Sequence, residues 1–240
     1  MRTLIAVPVF NEARSIPTLM RRILALGHDV LAIDDGSTDE TAELLGGLPL
    51  GVIRHASNRG YGAALIAAFA HAERAGYDWV VTMDCDEQHQ PGWTAGFLED
   101  AATERYDVIS GSRYLRTPPV GALVPADRRI VNQTLTAEIN ARLGTKLTDT
   151  FCGFKAYRVA GIRSLSLTQA GYAFPMQFWV QAVAFKLRII ERAVDLIYVD
   201  LARTFREGDG SLNDPATRLA HYRRVLEAEI AVQASRLVRR

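Results

Sequence analysis

The first half of the chain alternates short, almost wholly apolar segments with longer amphipathic ones, and this alternation constrains the fold more than any other feature. The apolar segments have the length of strands and span residues 4–9, 30–33, 51–54, 79–83 and 107–110. The segments between them carry apolar residues three or four positions apart, as helices do. Strands that are apolar on both faces and separated by helices are typical of parallel βαβ units. We therefore predict an α/β fold with a mostly parallel central sheet flanked by helices.

Capping patterns predict where the early helices begin. Asn11 precedes a segment that is apolar on one face, and Ser37 with Glu40 has the spacing of a capping box before a second such segment. An alanine-rich helix is predicted over 62–75. The pattern changes after Arg113. There we predict loops at 117–125 and 207–213, helices at 127–143, 175–186 and 215–240, and strands at 153–157 and 189–199.

The bulk properties of the chain exclude several classes of protein. Of its 240 residues, 48% are hydrophobic and 23% are charged, an ordinary globular balance, and no linker divides it, so we predict a single domain over 1–240. The net charge of +1 gives no general attraction to nucleic acid, and no such partner is expected. Two cysteines form no disulfide framework. The amino terminus is unlike a signal peptide and no run of about 18 apolar residues occurs, so we expect a cytoplasmic location.

A polar cluster follows each of the five predicted strands of the first half. The clusters lie at 11–12, 34–35, 58–60, 84–86 and 111–113. The carboxyl ends of parallel strands meet at one edge of a sheet, and ligands of such folds bind beyond that edge. The five clusters therefore predict a ligand site there.

The cluster with the clearest chemistry contains Asp84 and Asp86. Two carboxylates one residue apart, just after a strand, can reach the same cation, and Mg²⁺ and Mn²⁺ prefer oxygen ligands. Such an ion neutralises a diphosphate as it leaves. Gln88 and His89 are possible additional contacts. A solvated acidic turn is the ordinary explanation of two nearby aspartates, but the position beside four other clusters favours a metal site.

The remaining clusters are individually less specific. Asp35 is placed to accept a hydrogen bond from a nucleobase, although the same segment also reads as a helix cap and turn. Pro8 and Phe10 can present backbone and an aromatic face to a base. Glycines at 60 and 62 open a predicted helix, where backbone N–H groups suit phosphate, but they match neither the dinucleotide-binding fingerprint nor a Walker loop. Arg113 suits either a phosphate or a surface ion pair.

Taken together, the motifs resemble those of glycosyltransferase family 2, inverting enzymes with the GT-A fold, and within it the dolichol/polyprenol-phosphate mannose synthases. The resemblance extends from Val7 to Arg206. It rests on 7–12 (VPVFNE), 34–37 (DDGS), 58–62 (NRGYG), 84–89 (DCDEQH), 111–114 (GSRY), Asp149 with 153–154 (GF), and 205–206 (FR).

The resemblance implies roles for individual residues. Nucleotide binding is implied for Pro8, Phe10, Glu12, Asp34, Asp35, Asn58, Gly60 and Asp84. Asp84, Asp86 and Gln88 would hold Mg²⁺ or Mn²⁺ and the diphosphate. Gln88, Arg113, Arg128, Asp149 and Arg206 would contact phosphates or the acceptor, and Asp86, Arg113 and Arg206 would be catalytic. Residues 1–113 would then form a nucleotide-binding half and 114–213 an acceptor-side half, followed by a C-terminal helix at 214–240.

The acceptor is less constrained than the donor chemistry. The subgroup often has Gln-His-Pro-Pro where this chain has Gln88 to Pro91, and a lysine near 211–213 that is missing here. A nucleotide sugar of the GDP-mannose or UDP-glucose type is implied as donor, and a polyprenyl phosphate as acceptor. An anionic phosphate needs no general base, whereas a hydroxyl acceptor does, for which Asp149 and Glu87 are candidates. Transfer to a soluble hydroxyl acceptor and non-catalytic binding of a sugar nucleotide remain alternatives.

The predicted C-terminal helix bears on membrane contact. Leu219, Tyr222, Leu226 and Ile230 share one face, and six arginines add positive charge over 218–240. A basic amphipathic helix can lie among lipid headgroups, which would give peripheral contact with the cytoplasmic face of a membrane. The alternative, which we favour for the apolar stripe, is that it packs on the catalytic domain.

Overall fold

The structure is a computed structural model, and it describes residues 1–116, 125–197, 206–207, 210–212 and 214–238. For 206–207 and 210–211 it describes the backbone alone. The predicted loop at 117–125 therefore lies almost wholly outside the described residues, as do the end of the predicted strand at 189–199 and the last two arginines.

The described residues form a seven-stranded sheet in the order β3-β2-β1-β4-β6-β5-β7. Its strands are β1 Thr3–Val9, β2 Asp29–Asp34, β3 Gly51–Arg54, β4 Trp79–Thr82, β5 Val108–Ser112, β6 Lys155–Arg158 and β7 Ile189–Ala193. A short two-stranded ribbon pairs β8 Arg206–Glu207 with β9 Gly210–Ser211. The helices are α1 Ile16–Leu24, α2 Thr41–Gly46, α3 Tyr61–Arg74, α4 Thr94–Ala102, α5 Ala126–Leu143, α6 Val159–Ile162, α7 Phe174–Ala184 and α8 Pro215–Leu237. The predicted mostly parallel α/β sheet is confirmed.

One strand runs against the others and shapes the candidate site. β6 pairs antiparallel with both β4 and β5, so that Lys155 lies opposite Thr82 on one side and Ser110 on the other. Because of this direction, the start of β6 lies at the edge where β4 and β5 end. Residues just before β6 are thereby placed among the polar clusters of that edge.

The sheet divides the core into two layers. Alternate residues of β1 point to opposite faces, with Leu4 and Ala6 in one cluster and Ile5 and Val7 in the other. Helices α3, α5, α7 and α8 cover the first face, and α1, α2 and α4 cover the second. Both faces of the central strands are thus buried, which explains their almost continuous apolar sequence.

The two predicted helix caps are wrong. Helix α1 begins at Ile16, and Asn11 has a positive φ of 54° and accepts a hydrogen bond from the Thr38 backbone N–H. Helix α2 begins at Thr41, and the Ser37 hydroxyl accepts from the Asn11 N–H. Asn11 and Ser37 tie the loop after β1 to the loop after β2, and this reciprocal pairing takes the oxygens that capping would have used.

Helix α8 packs its apolar stripe on the domain, as favoured from the sequence. Tyr222 and Leu226 are buried in the core, and Leu219 and Ile230 pack against it. The Arg236 guanidinium lies over the Phe185 ring, 4.4 Å from its centroid. Across the described ranges, no helix combines the length and apolarity that crossing a membrane requires.

Candidate active site

The five polar clusters lie at one edge of the sheet, as predicted. β1 to β4 are mutually parallel, and β5 runs in the same direction because both β4 and β5 are antiparallel to β6. The loops that follow all five strands therefore leave the sheet on the same side.

Asp84 and Asp86 follow β4 near the middle of this edge. The Asp84 side chain is 32% exposed, and its Oδ1 accepts a hydrogen bond of 3.1 Å from the Tyr61 hydroxyl. Asp86 accepts from the backbone N–H of Gln88 at 3.2 Å and from its side-chain amide at 2.9 Å. Burial and the nearby Asp84 raise the pKa of Tyr61 well above its usual value, so that this hydroxyl stays protonated and donates.

The two carboxylates fit a divalent cation whose other ligands come from substrate. No group of three or more His, Cys, Asp or Glu side chains suited to a metal occurs among the residues that the structure describes. Mg²⁺, however, is commonly held by only one or two carboxylates together with phosphate oxygens and water. Gln88, predicted as a further ligand, lies beside Asp86 as a hydrogen-bond donor, and its role toward a metal stays a prediction.

His89 fixes the backbone of the loop that carries Asp84 and Asp86. Its ring is buried and packs edge-on against Phe154, and its Nδ1 accepts the Asp84 backbone N–H at 2.9 Å. Burial lowers the pKa of His89 to about 4, so the ring is neutral at physiological pH. The Nδ1 lone pair is therefore used to fix the backbone of Asp84.

The predicted nucleoside carboxylates at the end of β2 are both buried. Asp35 is 4% exposed, and it bonds to His55 Nδ1 at 2.6 Å and accepts from the backbone N–H groups of Arg59 and Gly60. Asp34 is fully buried and forms an ion pair with Arg54. Asp35 thus holds the loop after β3 against the loop after β2, and its contact with a base stays a prediction.

At the predicted phosphate cradle, the start of α3, two backbone N–H groups already donate within the protein, and the role of Gly60 toward a nucleotide stays a prediction. The Ala63 N–H donates to the Ala170 carbonyl at 2.8 Å, and the Gly60 N–H donates to Asp35. A Cβ on Gly62 would lie 2.1 Å from the Gln169 carbonyl oxygen. The glycines are therefore explained by the close packing of α3 against segment 169–171.

Several predicted nucleotide contacts lie open at the other strand ends. Phe10 is 40% exposed at the end of β1, with Pro8 and Glu12 half-buried beside it, and Asn58 is exposed in the loop after β3. An exposed aromatic ring at a ligand edge can stack on a base. Their roles in nucleotide binding stay predictions.

Arg113 is held by a buried carboxylate at the end of β5. Asp149 is fully buried and accepts from Arg113 Nε at 2.6 Å and Nη2 at 2.9 Å. It also accepts from the Asn132 amide and from the backbone N–H groups of Phe151 and Cys152. Burial alone would raise the pKa of Asp149, but the Arg113 charge and these donors lower it well below its usual range. Asp149 is therefore ionised at physiological pH and a poor base, which argues against its predicted role as a proton acceptor.

The other two predicted arginines are less defined. Arg128 lies half-buried in the first turn of α5. The Arg206 backbone forms part of β8, and its side chain lies outside the described residues. Their contacts with phosphate stay predictions.

The family assignment rests on comparison with known sequences. Residues 4–165 match the sequence profile of Glycosyl transferase family 2. The chain belongs to this glycosyltransferase family. The match spans β1 to the start of the segment after α6, and so includes every polar cluster of the five strand ends.

Two bacterial relatives of this family 2 chain have names that refer to undecaprenyl phosphate and to polyprenol monophosphomannose. It is 30% identical over 220 residues to an undecaprenyl-phosphate mannosyltransferase of Micrococcus luteus, covering 87% of this chain and 88% of the relative. It is also 30% identical to a polyprenol monophosphomannose synthase of Mycolicibacterium smegmatis, over 79% of this chain and 75% of that one.

Solved structures confirm the GT-A fold. Glucosyl-3-phosphoglycerate synthase of Mycobacterium tuberculosis, crystallised with Mn²⁺, UDP and glucosyl-3-phosphoglycerate, superposes with a TM-score of 0.70. The superposition covers 97% of this chain and 79% of that one at 19% identity. At this identity the likeness concerns the fold alone.

Some residues of this glycosyltransferase site were not foreseen from the sequence. Glu191 of β7 accepts from the backbone N–H groups of Thr148 and Asp149, which fixes the loop that carries Asp149. A glutamate directly after two isoleucines in a predicted strand was a visible signal. Tyr61 and Asn132 gave no such signal, because their partners are distant in sequence.

Gly153 permits the close approach of Asp84, which leads to a testable expectation. A Cβ at Gly153 would lie 2.5 Å from Asp84 Oδ2 and 2.7 Å from Oδ1. In Gly153→Ala the flexible carboxylate would move rather than the backbone, so that the fold survives while Asp84 is displaced. We expect transfer activity to fall about 100-fold, the scale of a displacement of about 1 Å, with little change in melting temperature.

A matched alanine substitution tests this cause. A Cβ on Gly92 meets no atom within 4 Å, so Gly92→Ala adds the same methyl group without displacing a side chain. Initial rates and thermal melting of both variants should be compared with wild type. Normal activity of Gly153→Ala would show that the position of Asp84 is not critical.

Proposed function

We propose that the chain is a metal-dependent, inverting glycosyltransferase that moves a hexose from a nucleotide sugar to a polyprenyl phosphate. The observation that carries this proposal is that two carboxylates, Asp84 and Asp86, lie at the same edge of the sheet as Arg113. The guanidinium of Arg113 is fixed there by a buried carboxylate. Carboxylates suit the cation that accompanies a diphosphate, and a fixed guanidinium suits phosphate oxygens.

The donor is assigned to the half formed by residues 1–113. Phe10 would stack on the base, with Pro8, Glu12 and the Asp35 loop beside it. Asp84 and Asp86, together with Gln88, would hold Mg²⁺ or Mn²⁺, which when bound supplies positive charge to the departing diphosphate. The mutual fixing of these loops through Asp35 and Asn11 supports a site that is ordered before substrate arrives.

The acceptor is assigned to the half formed by residues 114–213. An oxygen of the acceptor phosphate would form the new bond to the anomeric carbon while the bond from that carbon to the diphosphate breaks, with inversion. Arg113, Arg128 and Arg206 would orient the two sets of phosphates. A phosphate acceptor is already ionised and needs no general base, which agrees with an Asp149 that is bound to Arg113 and whose pKa lies below its usual range.

The relatives support this choice of acceptor. The two bacterial relatives are named for transfer to undecaprenyl or polyprenol phosphate, and both align over three quarters or more of this chain. The structural neighbour is named for a soluble phosphoglycerate product. Both kinds of acceptor carry a phosphate, so they need to be compared directly.

The test is a transfer assay with defined donors and acceptors. Purified protein with Mn²⁺ or Mg²⁺ would be given GDP-mannose or UDP-glucose, and either undecaprenyl phosphate in detergent or 3-phosphoglycerate. We expect a glycosylated lipid phosphate with one of the donors and no product without a divalent cation. Transfer to phosphoglycerate alone would overturn the lipid acceptor, and metal-independent nucleotide binding without transfer would overturn the enzymatic assignment.

A polyprenyl acceptor requires contact with a membrane surface. On α8, Arg224 is exposed and Val232 is 70% exposed, and Val238, directly after the helix, is 84% exposed. We expect weak binding to anionic vesicles that diminishes at high salt and on deletion of residues 236–240, since each basic residue near such a surface adds about 1 kcal/mol. Cosedimentation with vesicles at low and high salt measures this binding.

The control for this deletion is a charge change elsewhere on the surface. Arg105 is exposed in the segment between α4 and β5, and Arg105→Glu should leave vesicle binding unchanged. Equal loss of binding in both variants would point to net charge rather than to α8. No binding at low salt would argue against membrane contact and leave the glycosyltransferase assignment intact.

A further inference from the structure

Tyr61 connects the first turn of α3 to the candidate metal site. Its hydroxyl donates to Asp84 Oδ1 at 3.1 Å, and its ring lies parallel to that of Tyr172, with 6.3 Å between centroids and 13° between planes. Together with Gly153 and Lys155 it lines a small cavity. Asp84 is therefore bounded by the Tyr61 hydroxyl and by the backbone of Gly153.

The backbone around Tyr61 is fixed on both sides. The preceding residue, Gly60, donates its N–H to Asp35 and has a positive φ of 100°. On the other side, Gly62 packs against the Gln169 carbonyl and Ala63 donates to the Ala170 carbonyl. The start of α3 has little room to move relative to Asp84, so that the Tyr61 hydroxyl is held where it meets the carboxylate.

Segment 168–171 is in turn anchored to the helices of the same face. Gln177 of α7 accepts the backbone N–H groups of Thr168 and Gln169 at 2.7 and 2.8 Å. Its amide nitrogen donates to Glu229 of α8 at 2.9 Å, and Glu229 is only 7% exposed. A chain of polar contacts thus extends from α8 through Gln177 to the segment that packs against the start of α3.

We propose that Tyr61 is a positioning residue: its hydroxyl holds the Asp84 carboxylate in the orientation that binds the donor's divalent cation, and so sets the metal affinity of the site. This inference rests on the proposed function. Carboxylates that bind metals are themselves commonly hydrogen-bonded, and loss of such a partner typically lowers metal affinity or activity 10- to 100-fold. Tyr61 does not touch the reacting atoms in this assignment.

The variant that tests the inference is Tyr61→Phe, which removes the hydroxyl and keeps the ring against Tyr172. A matched control is Tyr77→Phe. Tyr77 also donates from its hydroxyl to a carboxylate, Asp29 Oδ2 at 2.8 Å, but Asp29 is the first residue of β2 and lies at the opposite edge of the sheet. The two variants thus lose the same kind of hydrogen bond in different places.

The principal measurement is Mn²⁺ binding, by calorimetry or by electron paramagnetic resonance, in the presence of UDP or GDP. We expect the Mn²⁺ dissociation constant of Tyr61→Phe to rise about 10- to 100-fold. Tyr77→Phe should bind Mn²⁺ as wild type does. In transfer assays, Tyr61→Phe should need more Mn²⁺ for half-maximal rate, and saturating Mn²⁺ should restore most of the kcat. Thermal melting of both variants verifies that they are folded.

The outcomes separate this inference from the function on which it rests. If wild type binds Mn²⁺ with nucleotide and Tyr61→Phe binds it equally well, Tyr61 has no positioning role, whereas the proposed function stands. If wild type binds no Mn²⁺ with either nucleotide, the metal-dependent function fails and the inference fails with it. A fall in kcat of Tyr61→Phe that saturating Mn²⁺ does not restore, with unchanged Mn²⁺ affinity, would also overturn it.

Discussion

Replacement of Asp86 by alanine is expected to remove metal-dependent glycosyl transfer while the protein remains folded. A divalent cation contributes several kcal/mol to stabilising the charge of a leaving diphosphate. Since 1.36 kcal/mol corresponds to a factor of ten in rate, the loss should be on the order of 1,000-fold or more. The Asp86 side chain bonds to Gln88 two residues away, within its own loop, and does not belong to either core cluster. The melting temperature should therefore change little.

The measurement combines transfer rates over a range of Mn²⁺ concentrations with thermal melting. Glu99→Ala is a suitable control, because Glu99 is an exposed carboxylate on α4 whose side chain is 74% accessible in an ion pair with Arg192. It should transfer at the wild-type rate. If Asp86→Ala keeps near-wild-type activity, the metal is held elsewhere or is not needed, and the assignment of this aspartate pair is wrong.

The sequence predicted the sheet well because a strand that is buried on both faces has an almost continuous apolar sequence. β1, β2 and β4 are apolar almost throughout, and each is covered by helices on both sides. The direction of β6 is not visible in its sequence. Its four residues have the composition of a strand in either direction, and only its pairing with both β4 and β5 makes it antiparallel. The approach of Gly153 to Asp84 follows from that direction and was therefore not predictable.

Helix starts and glycine loops were ambiguous for a different reason. Asn11 and Ser37 have the side chains of helix caps, but a partner some twenty-six residues away in sequence offers equivalent hydrogen bonds. The glycines at 60 and 62 would look the same before a phosphate as before the carbonyl groups of Gln169 and Ala170. In both cases the local sequence permits two partners, and a tertiary contact determines which one is used.

For Arg113 the structure shows an ion pair, and its contact with a phosphate stays a prediction. An ion pair was one alternative from the sequence, yet this pair is buried and lies at the ligand edge. The Asp149 carboxylate fixes the plane of the guanidinium through two hydrogen bonds, as bidentate pairs do. Such fixing lowers the side-chain entropy that the guanidinium would lose on binding an anion.

The second large effect is expected for Asp149→Ala. This change removes the acceptor for Arg113, whose side chain is 15% exposed, and for the Asn132 amide and two backbone N–H groups. Breaking a buried ion pair from one side typically costs about 3–5 kcal/mol. For a chain of this size each kcal/mol lowers the melting temperature by about 2–4 °C, so we expect a decrease of roughly 6–20 °C. Transfer should fall as well, because Arg113 is no longer oriented.

A second ion pair, at the other end of β5, provides the control. Asp107, just before β5, also accepts two guanidinium hydrogen bonds, from Arg188, but the Arg188 side chain is 48% exposed. Ion pairs open to solvent contribute about 0–1 kcal/mol. Asp107→Ala should therefore melt within a few degrees of wild type and retain its activity, although it loses a contact of the same geometry.

The double variant Arg113→Ala/Asp149→Ala separates the two roles of the pair. Arg113→Ala alone removes a charge-assisted phosphate contact of about 1.5–3 kcal/mol, and so lowers transfer about 10- to 100-fold, and it also leaves Asp149 buried without its cation. In the double variant neither charge is stranded, so its melting temperature should lie above that of Asp149→Ala, while its activity stays as low as that of Arg113→Ala. Stability would then depend on whether the buried charges are paired, and activity would depend on whether the arginine is present. If the destabilisations of the two single variants simply add in the double variant, the two side chains are not coupled, and Asp149 does not act through Arg113.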